Sequence, residues 1–242
     1  VLSASPLDDT VAWYENDGST VTQLPTHVSY STLVLHVDFD DGSASDDSGN
    51  GYDGTVNGGA ATTTGRDGSD ALLFDGTDDY VEFPSGATAD ILGSSARTVC
   101  LWASIDSFDG GGGLFDYGNY DSLKNFALRV YDTDWTLRAN FWDDDTDVTL
   151  SGSNDGGWHH HCMTYDGSNW VMYFDGAQTA TSSVTLDTGS DVPLRFGSWN
   201  PVYEYGGYLS GSIDEVYVYS SALDAASIQV LYDAVAPESF SE

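Results

Sequence analysis

The stretch GWHHHCMTYDGSNWVMYFDG, residues 157–176, carries three of the chain's five histidines in succession, with Cys162 directly behind them. On a strand, side chains alternate between two faces. His160 and Cys162 then share one face, and His159, His161 and Met163 share the other. Three consecutive histidines so arranged cannot converge on one metal ion. His27 and His36 stand far away in sequence with no ligand-like spacing, so a zinc site lacks its remaining ligands. The stretch reads as one alternating strand, a D-G turn at Asp166-Gly167, a second alternating run and a second D-G turn at Asp175-Gly176.

The same grammar runs through the chain. Short alternating runs such as ALLFDG, YVEF, TVCLWASI, FALRVY, TLRANFW, PLRFGSW and SIDEVYVYS are rich in aromatic and β-branched residues. Glycine-rich turns separate them: DDGSASDDSGNGYDG, FDGTDDY, FDGGGG. This pattern predicts an all-β, two-sheet antiparallel sandwich. The one helix expected is SALDAASIQVLYDAV, residues 221–235, with Ser or Asp available as its cap.

Composition narrows the function classes. The 242 residues hold 39 acidic and 6 basic side chains, a formal net charge of −33. Six acids are Glu, which leaves 33 Asp, and Lys124 is the only lysine. A compact body so charged repels itself at ordinary ionic strength. At molar salt the Debye length falls to about 3 Å and the repulsion is screened. The balance therefore points to a high-salt environment and a halophilic microbe or its virus, with an acidic calcium-binding secreted protein as the alternative. No basic stripe exists to neutralise phosphates, which argues against nucleic acid. No apolar run approaches the length of a membrane span, which argues against membrane insertion, and no signal peptide is visible. The chain opens on Val1 rather than Met, as a piece of a longer protein would.

In order, LVLHVDFDDGSASDDSGNGYDGTVNGG, ALLFDGTDDYVEFP, GGWHHHCMTYDGSNWVMYFDG and LSGSIDEVYVYSSALDAASI resemble a laminin-G-like, concanavalin A-like jelly-roll domain, related in fold to pentraxins and legume lectins. The resemblance spans residues 33–235 and implies two antiparallel sheets of six or seven strands, one of them concave. In that family the histidine stretch is a core strand. Residues 1–32, with TVAWYENDG, resemble the tail of an integrin-like FG-GAP propeller repeat and form a separate N-terminal arm. Residues 236–242 read as a tail. Pentraxins bridge a TVCL-type strand to an HxC-type strand, so the resemblance implies a Cys100–Cys162 disulfide, with two buried free thiols as the alternative. Closing a loop of that length contributes on the order of 4 kcal/mol in the chain-entropy model.

The resemblance also directs attention to sites. Domains of this fold often hold calcium where a loop after the first strand meets the aspartate opening a late strand. Carried over, the ligands are Asp40, Asp47, Asn50 and Asp214, residue types that suit a hard cation. The pentraxin ligand loops map to LFDYGNYDSLKNFALRV, which offers Asn119, Asp121 and Asn125, and to FGSWNPVYEYGGY. In the second, Ser198, Trp199 and Asn200 replace the acidic triplet of the double-calcium site. That loop offers instead Trp199, Asn200, Tyr203, Glu204 and Tyr205, a set suited to stacking on a sugar and bonding its hydroxyls. The WDDDTD turn, residues 142–147, is another acidic rim loop and reads first as solvated, with calcium binding second. Family-16 glycoside hydrolases share the sandwich but use a Glu-x-Asp-x-x-Glu strand that is absent here. Asp214 and Glu215, adjacent on one strand, are expected on opposite faces and so not to act as a pair. These readings predict a non-catalytic extracellular or surface module, virion surface included. It binds carbohydrate or glycoprotein with calcium-stabilised loops. The alternative is a structural subunit of a surface layer, filament or spike that self-associates through the N-terminal arm.

Overall fold

The computed structural model describes residue 28 and residues 30–107, 111–132, 136–150, 156–199 and 207–234. The N-terminal arm as far as residue 27, and the tail from residue 235, lie outside the described residues. Within them the strands are β1 (Leu33–Val37), β2 (Thr55–Asn57), β3 (Ala61–Thr64), β4 (Asp70–Asp75), β5 (Tyr80–Glu82), β6 (Arg97–Ser107), β7 (Gly113–Gly118), β8 (Asn125–Asp132) and β9 (Thr136–Asn140). There follow β10 (Thr146–Thr149), β11 (His159–Tyr165), β12 (Asn169–Phe174), β13 (Ala177–Ser183), β14 (Val192–Phe196), β15 (Ser198–Trp199), β16 (Gly207–Tyr208), β17 (Ser210–Tyr219) and the helix α1 (Ala225–Asp233).

One sheet runs β13-β12-β11-β6-β17-β4-β3, and the other β10-β9-β8-β7-β14-β5-β2. All pairings are antiparallel. The first sheet has eight strands, one more than expected, because β17 is long enough to serve two partners. It pairs β4 through Ser210–Ile213 and β1 through Val216–Tyr219. Alternation decides what each strand buries. Val99, Leu101 and Ala103 of β6, Met163 and Tyr165 of β11, and Trp170 and Met172 of β12 line the first inner face. Phe115 and Tyr117 of β7, Phe126, Leu128 and Val130 of β8, and Leu194 and Phe196 of β14 line the second. Each such large apolar side chain contributes about 1.5–3 kcal/mol when fully buried.

The histidine stretch is β11, at the heart of the first sheet. Cys162 stands opposite Cys100 of β6, and the two form a disulfide. They lie on the outward face, buried with Tyr173, Tyr219, Leu223, Ile228 and Leu231 beneath α1. That helix is shorter than expected. Asp224 adopts extended backbone and its carboxylate accepts from the Ser227 amide at 2.8 Å, so the first turn starts at Ala225. His160 shares the disulfide's face, with Nε2 3.5 Å from the Cys162 sulfur. His161 points into the sandwich beside the Phe174 ring. His159 closes the strand's entry, its Nδ1 2.8 Å from the Asp175 carboxylate.

Strict alternation fails at one place. Ile213 and Val216 of β17 both face the core, so the two residues between them both face outward. Glu215 has a φ of 50°, and the register of β17 against β6 shifts between Asp214 and Tyr217. This bulge corrects the expectation that Asp214 and Glu215 project to opposite faces. Asp214 is buried beneath the turn at Gly65–Ser69, where its Oδ2 accepts from the Arg66 amide at 2.9 Å. Glu215 meets His36 at 3.2 Å and the Tyr217 hydroxyl at 2.8 Å.

His160 and His161 are 1% and 2% exposed. Burial pushes both down to about 3, helped by the Arg66 charge at His160 and by the neighbouring histidines at His161. Their neutral forms are favoured by folding, so their stabilisation is complete above about pH 6.5. It is lost as pH falls from there towards 3, at about 1.4 kcal/mol per unit for each histidine. Denaturant midpoints measured between pH 7 and pH 4 are expected to show a shallower slope for His161→Leu than for the parent. Equal slopes would refute the assignment.

Candidate functional site

Polar residues that the sandwich cannot bury inside collect on the outer face of the seven-stranded sheet. Along β8, Phe126, Leu128 and Val130 face the core, which turns Asn125, Ala127, Arg129 and Tyr131 outward. Along β9, Leu137 and Ala139 face in, so Arg138 and Asn140 face out. Register then sets the rows. Arg129 stands directly opposite Arg138, and Ala127 stands between Asn140 on β9 and Asp116 on β7.

The floor is a hydrogen-bonded layer. The Asp116 carboxylate accepts from the Asn125 side chain at 2.8 Å and from the Tyr120 hydroxyl at 2.6 Å. The Asn140 amide donates to Asp145 at 3.0 Å, and the other oxygen of Asp145 accepts from the backbone amides of Phe141 and Trp142. That double cap holds Trp142 at a φ of 82°. Above the layer Tyr120, Trp142 and Trp199 form a row, with ring centroids 5.4 and 6.1 Å apart. Five atoms of the patch are buried without a hydrogen-bond partner: Asn125 Oδ1, Asn140 Oδ1, Arg129 Nε, Ser198 Oγ and Trp199 Nε1. Such atoms are uncommon in folded proteins, and each costs about 1–3 kcal/mol when left unmade.

Trp199 reaches this place because of a glycine run. The two-residue strands β15 and β16 pair with each other and cross the start of β7. A Cβ at Gly113 would collide with the Ser198 carbonyl and the Trp199 amide, and one at Gly207 with the Gly111 carbonyl. Gly111–Gly113 of the sequence's glycine run is therefore a close approach of backbones. With Gly113 bare, the Trp199 ring settles 3.8 Å from the guanidinium carbon of Arg129.

Of the rim residues expected from sequence, Asn125 and Trp199 belong to this patch. Asn119 is elsewhere, bonded through both ends of its amide to Asp191, and Asp121 forms an ion pair with Lys124 at 3.1 Å. Asn200, Tyr203, Glu204 and Tyr205 lie outside the described residues. Asp116, Tyr120, Arg129, Tyr131, Arg138, Asn140 and Trp142 join the patch without having been expected there. A signal existed in FALRV and TLRAN: in a chain with six cations, two arginines occupy the outward positions of adjacent apolar strands.

The residues expected to hold calcium do not converge as a set. No group of three metal-type donors among the described residues includes Asp40, Asp47 or Asp214; Asp40 and Asn50 are exposed, and the Asp47 amide donates to the His36 carbonyl. The Asn50 amide donates to the carbonyls of Leu33 and Val34, and the neighbouring Asp46 organises the loop by accepting from the Ser48 and Tyr52 amides. Of the four expected residues Asp214 is the buried one. Its Oδ1 is buried without a partner, and burial, with Glu215 and Asp67 nearby, pushes its carboxyl up to about 7. Groups of three metal-type donors among the described residues are Cys100–His160–Cys162, whose sulfurs are bonded to each other, and Asp75–Asp78–Asp79.

A family model described as the concanavalin A-like lectin/glucanases superfamily matches residues 75–229. No curated protein matches the chain. Among solved structures, domain 4 of AbnA, a GH43 extracellular arabinanase from Geobacillus stearothermophilus in complex with arabinotriose, is 22% identical with a TM-score of 0.65. The match covers 83% of this chain and 98% of that one. The binding domain of Paraclostridial Mosquitocidal Protein 1 is 15% identical with a TM-score of 0.65, covering 84% of this chain and 52% of that one. The binding domain of Botulinum Neurotoxin DC in complex with SialylT is 14% identical with a TM-score of 0.64, covering 85% and 52%. The chain thus spans about half the length of the toxin binding domains, and at these identities the likeness is one of fold. No helix among the described residues is long and apolar enough to cross a membrane.

Gly113→Ala is expected to displace the Ser198–Trp199 strand, at a cost of about 1–3 kcal/mol. Thermal unfolding and the near-UV signal of the indoles test this. An unchanged midpoint and spectrum would show that the crossing does not depend on the missing side chain.

Proposed function

Because the chain belongs to the concanavalin A-like lectin/glucanase superfamily, we propose that it is a non-catalytic extracellular module that binds carbohydrate or a glycoconjugate. The observation that carries this reading is the aromatic row Tyr120–Trp142–Trp199 above a polar floor with unpartnered atoms. Aromatic faces stack on the apolar faces of sugars, and amide oxygens and N–H groups pair with the hydroxyls. The arabinanase domain was solved with arabinotriose and the neurotoxin domain with SialylT, which supports the same ligand class for this chain. The absence of the family-16 carboxylate motif favours binding over hydrolysis.

The acid surplus suits a high-salt surrounding, so binding is measured in about 2 M salt. On a panel of oligosaccharides and polysaccharides, the folded parent retains ligands and Trp199→Ala or Trp142→Ala loses them by about tenfold or more, as removal of a stacking aromatic implies. Release of reducing ends from any panel member would establish hydrolysis instead. Silence of the whole panel would remove the carbohydrate reading.

A structural calcium beside Asp214 belongs to the same proposal. The ion would pair the buried Oδ1 and hold the carboxyl ionised at neutral pH. Calcium is expected to raise the thermal midpoint of the parent, a chelator to reverse this, and Asp214→Asn to remove the response. A midpoint indifferent to calcium refutes it.

A further inference from the structure

The chain has six cations against 39 acids, so a carboxylate partner for each is in ample supply. Lys124 pairs with Asp121, Arg195 with Glu82, and Arg138 with Asp147 and Asp145. Arg66 donates to the carbonyls of Ala234 and Tyr232, and Arg97 to carbonyls and hydroxyls inside the sandwich. Among the described residues, Arg129 is the one cation with no hydrogen bond or ion pair, and its Nε is buried without a partner.

Its surroundings are built, not incidental. The guanidinium sits 3.8 Å from the Trp199 ring and 5.0 Å from the Tyr131 ring, contacts that fix its position without using its N–H donors. Directly across the sheet stands Arg138, and like charges in facing positions destabilise a pair of strands. Asp147 and Asp145 bond directly to Arg138 and attract Arg129 only from a distance, with no ion pair to it. The cost is visible in its pKa, which burial and the Arg138 charge lower to about 10. An anion delivered from outside to the terminal nitrogens of the guanidinium would offset the repulsion.

Resting on the carbohydrate-binding reading above, we propose that the ligand is an anionic saccharide whose carboxylate or sulfate is received by the guanidinium of Arg129, beside the aromatic row. Arginine's planar fork matches both oxyanions. A half-buried pair is also screened less by salt than an exposed one, so it retains specificity in brine.

The test uses the full chain with four probes: a uronate oligosaccharide, its carboxyl-reduced form, a sulfated oligosaccharide and its desulfated form. The parent is expected to bind at least one acidic probe about ten- to hundredfold more tightly than its neutral counterpart, the range of a charged hydrogen bond. Which acidic probe is preferred distinguishes carboxylate from sulfate. Arg129→Gln should erase that preference, bringing the acidic probe to the affinity of its neutral counterpart in the same variant, and Arg129→Lys should restore part of it. Equal affinity of the parent for acidic and neutral probes overturns the anionic class whatever the variants do, and leaves the carbohydrate reading standing. An acidic preference unchanged in a folded Arg129→Gln protein overturns the role of Arg129. Absence of binding to all four probes and to the wider panel overturns both readings together.

Discussion

The two-residue period of a paired strand is the constraint on which the rest of the molecule depends. Each strand must give one face to the sandwich interior, and the other face takes whatever remains. In β11 this sends Met163 and Tyr165 inward and leaves His160 and Cys162 for the layer beneath α1. The helix and the disulfide exist on that outer face because the sheet there is apolar and needs a cover. The seven-stranded sheet solves the same problem with aromatics. A layer of Asp116, Asn125 and Asn140 is roofed by Tyr120, Trp142 and Trp199, the surface we propose for recognition.

Electrostatics sharpens this division. A net charge of −33 makes every carboxylate an additional source of repulsion at low salt and every cation scarce. Where the cations stand is therefore informative. Arg97 is spent within the core on carbonyls and hydroxyls, and Arg195 on Glu82 at 2.7–2.8 Å. Arg138 is held by two bonds of 2.6 and 2.8 Å to Asp147, in a turn that sequence reading takes for a solvated acidic loop. Those acids are structural, since Asp145 sets the Trp142 backbone and Asp147 anchors the arginine beside Arg129. Burial also has local costs, as Asp214 and His161 each keep an unpaired polar atom out of water.

Much of the architecture was legible in the residues. Alternating aromatic and β-branched runs between D-G turns specify antiparallel strands, and strand geometry puts His160 on the face opposite His161. Asp224 was a visible cap for a C-terminal helix, and the family resemblance pointed to the Cys100–Cys162 bridge that the structure contains. Asn125 and Trp199, named from sequence through loop resemblance, fall within the patch proposed for binding. Asn119 and Asp121 came from the same resemblance; the structure bonds Asn119 to Asp191 on a distant loop and Asp121 to Ser122 and Lys124 beside it, because an Asn or Asp in a loop bonds neighbouring chain as readily as a ligand.

Sequence by itself determined the fold class, the partition of residues between inner and outer faces, and the scarcity of positive charge, since each depends on local periodicity or composition. Only the tertiary structure decided that Arg129 faces Arg138, that Gly113 admits the Ser198 backbone, and that a positive φ at Glu215 puts two acids on one face. Register and close approach between segments distant in the chain are set by packing the whole interior at once. No window of a few residues contains that information.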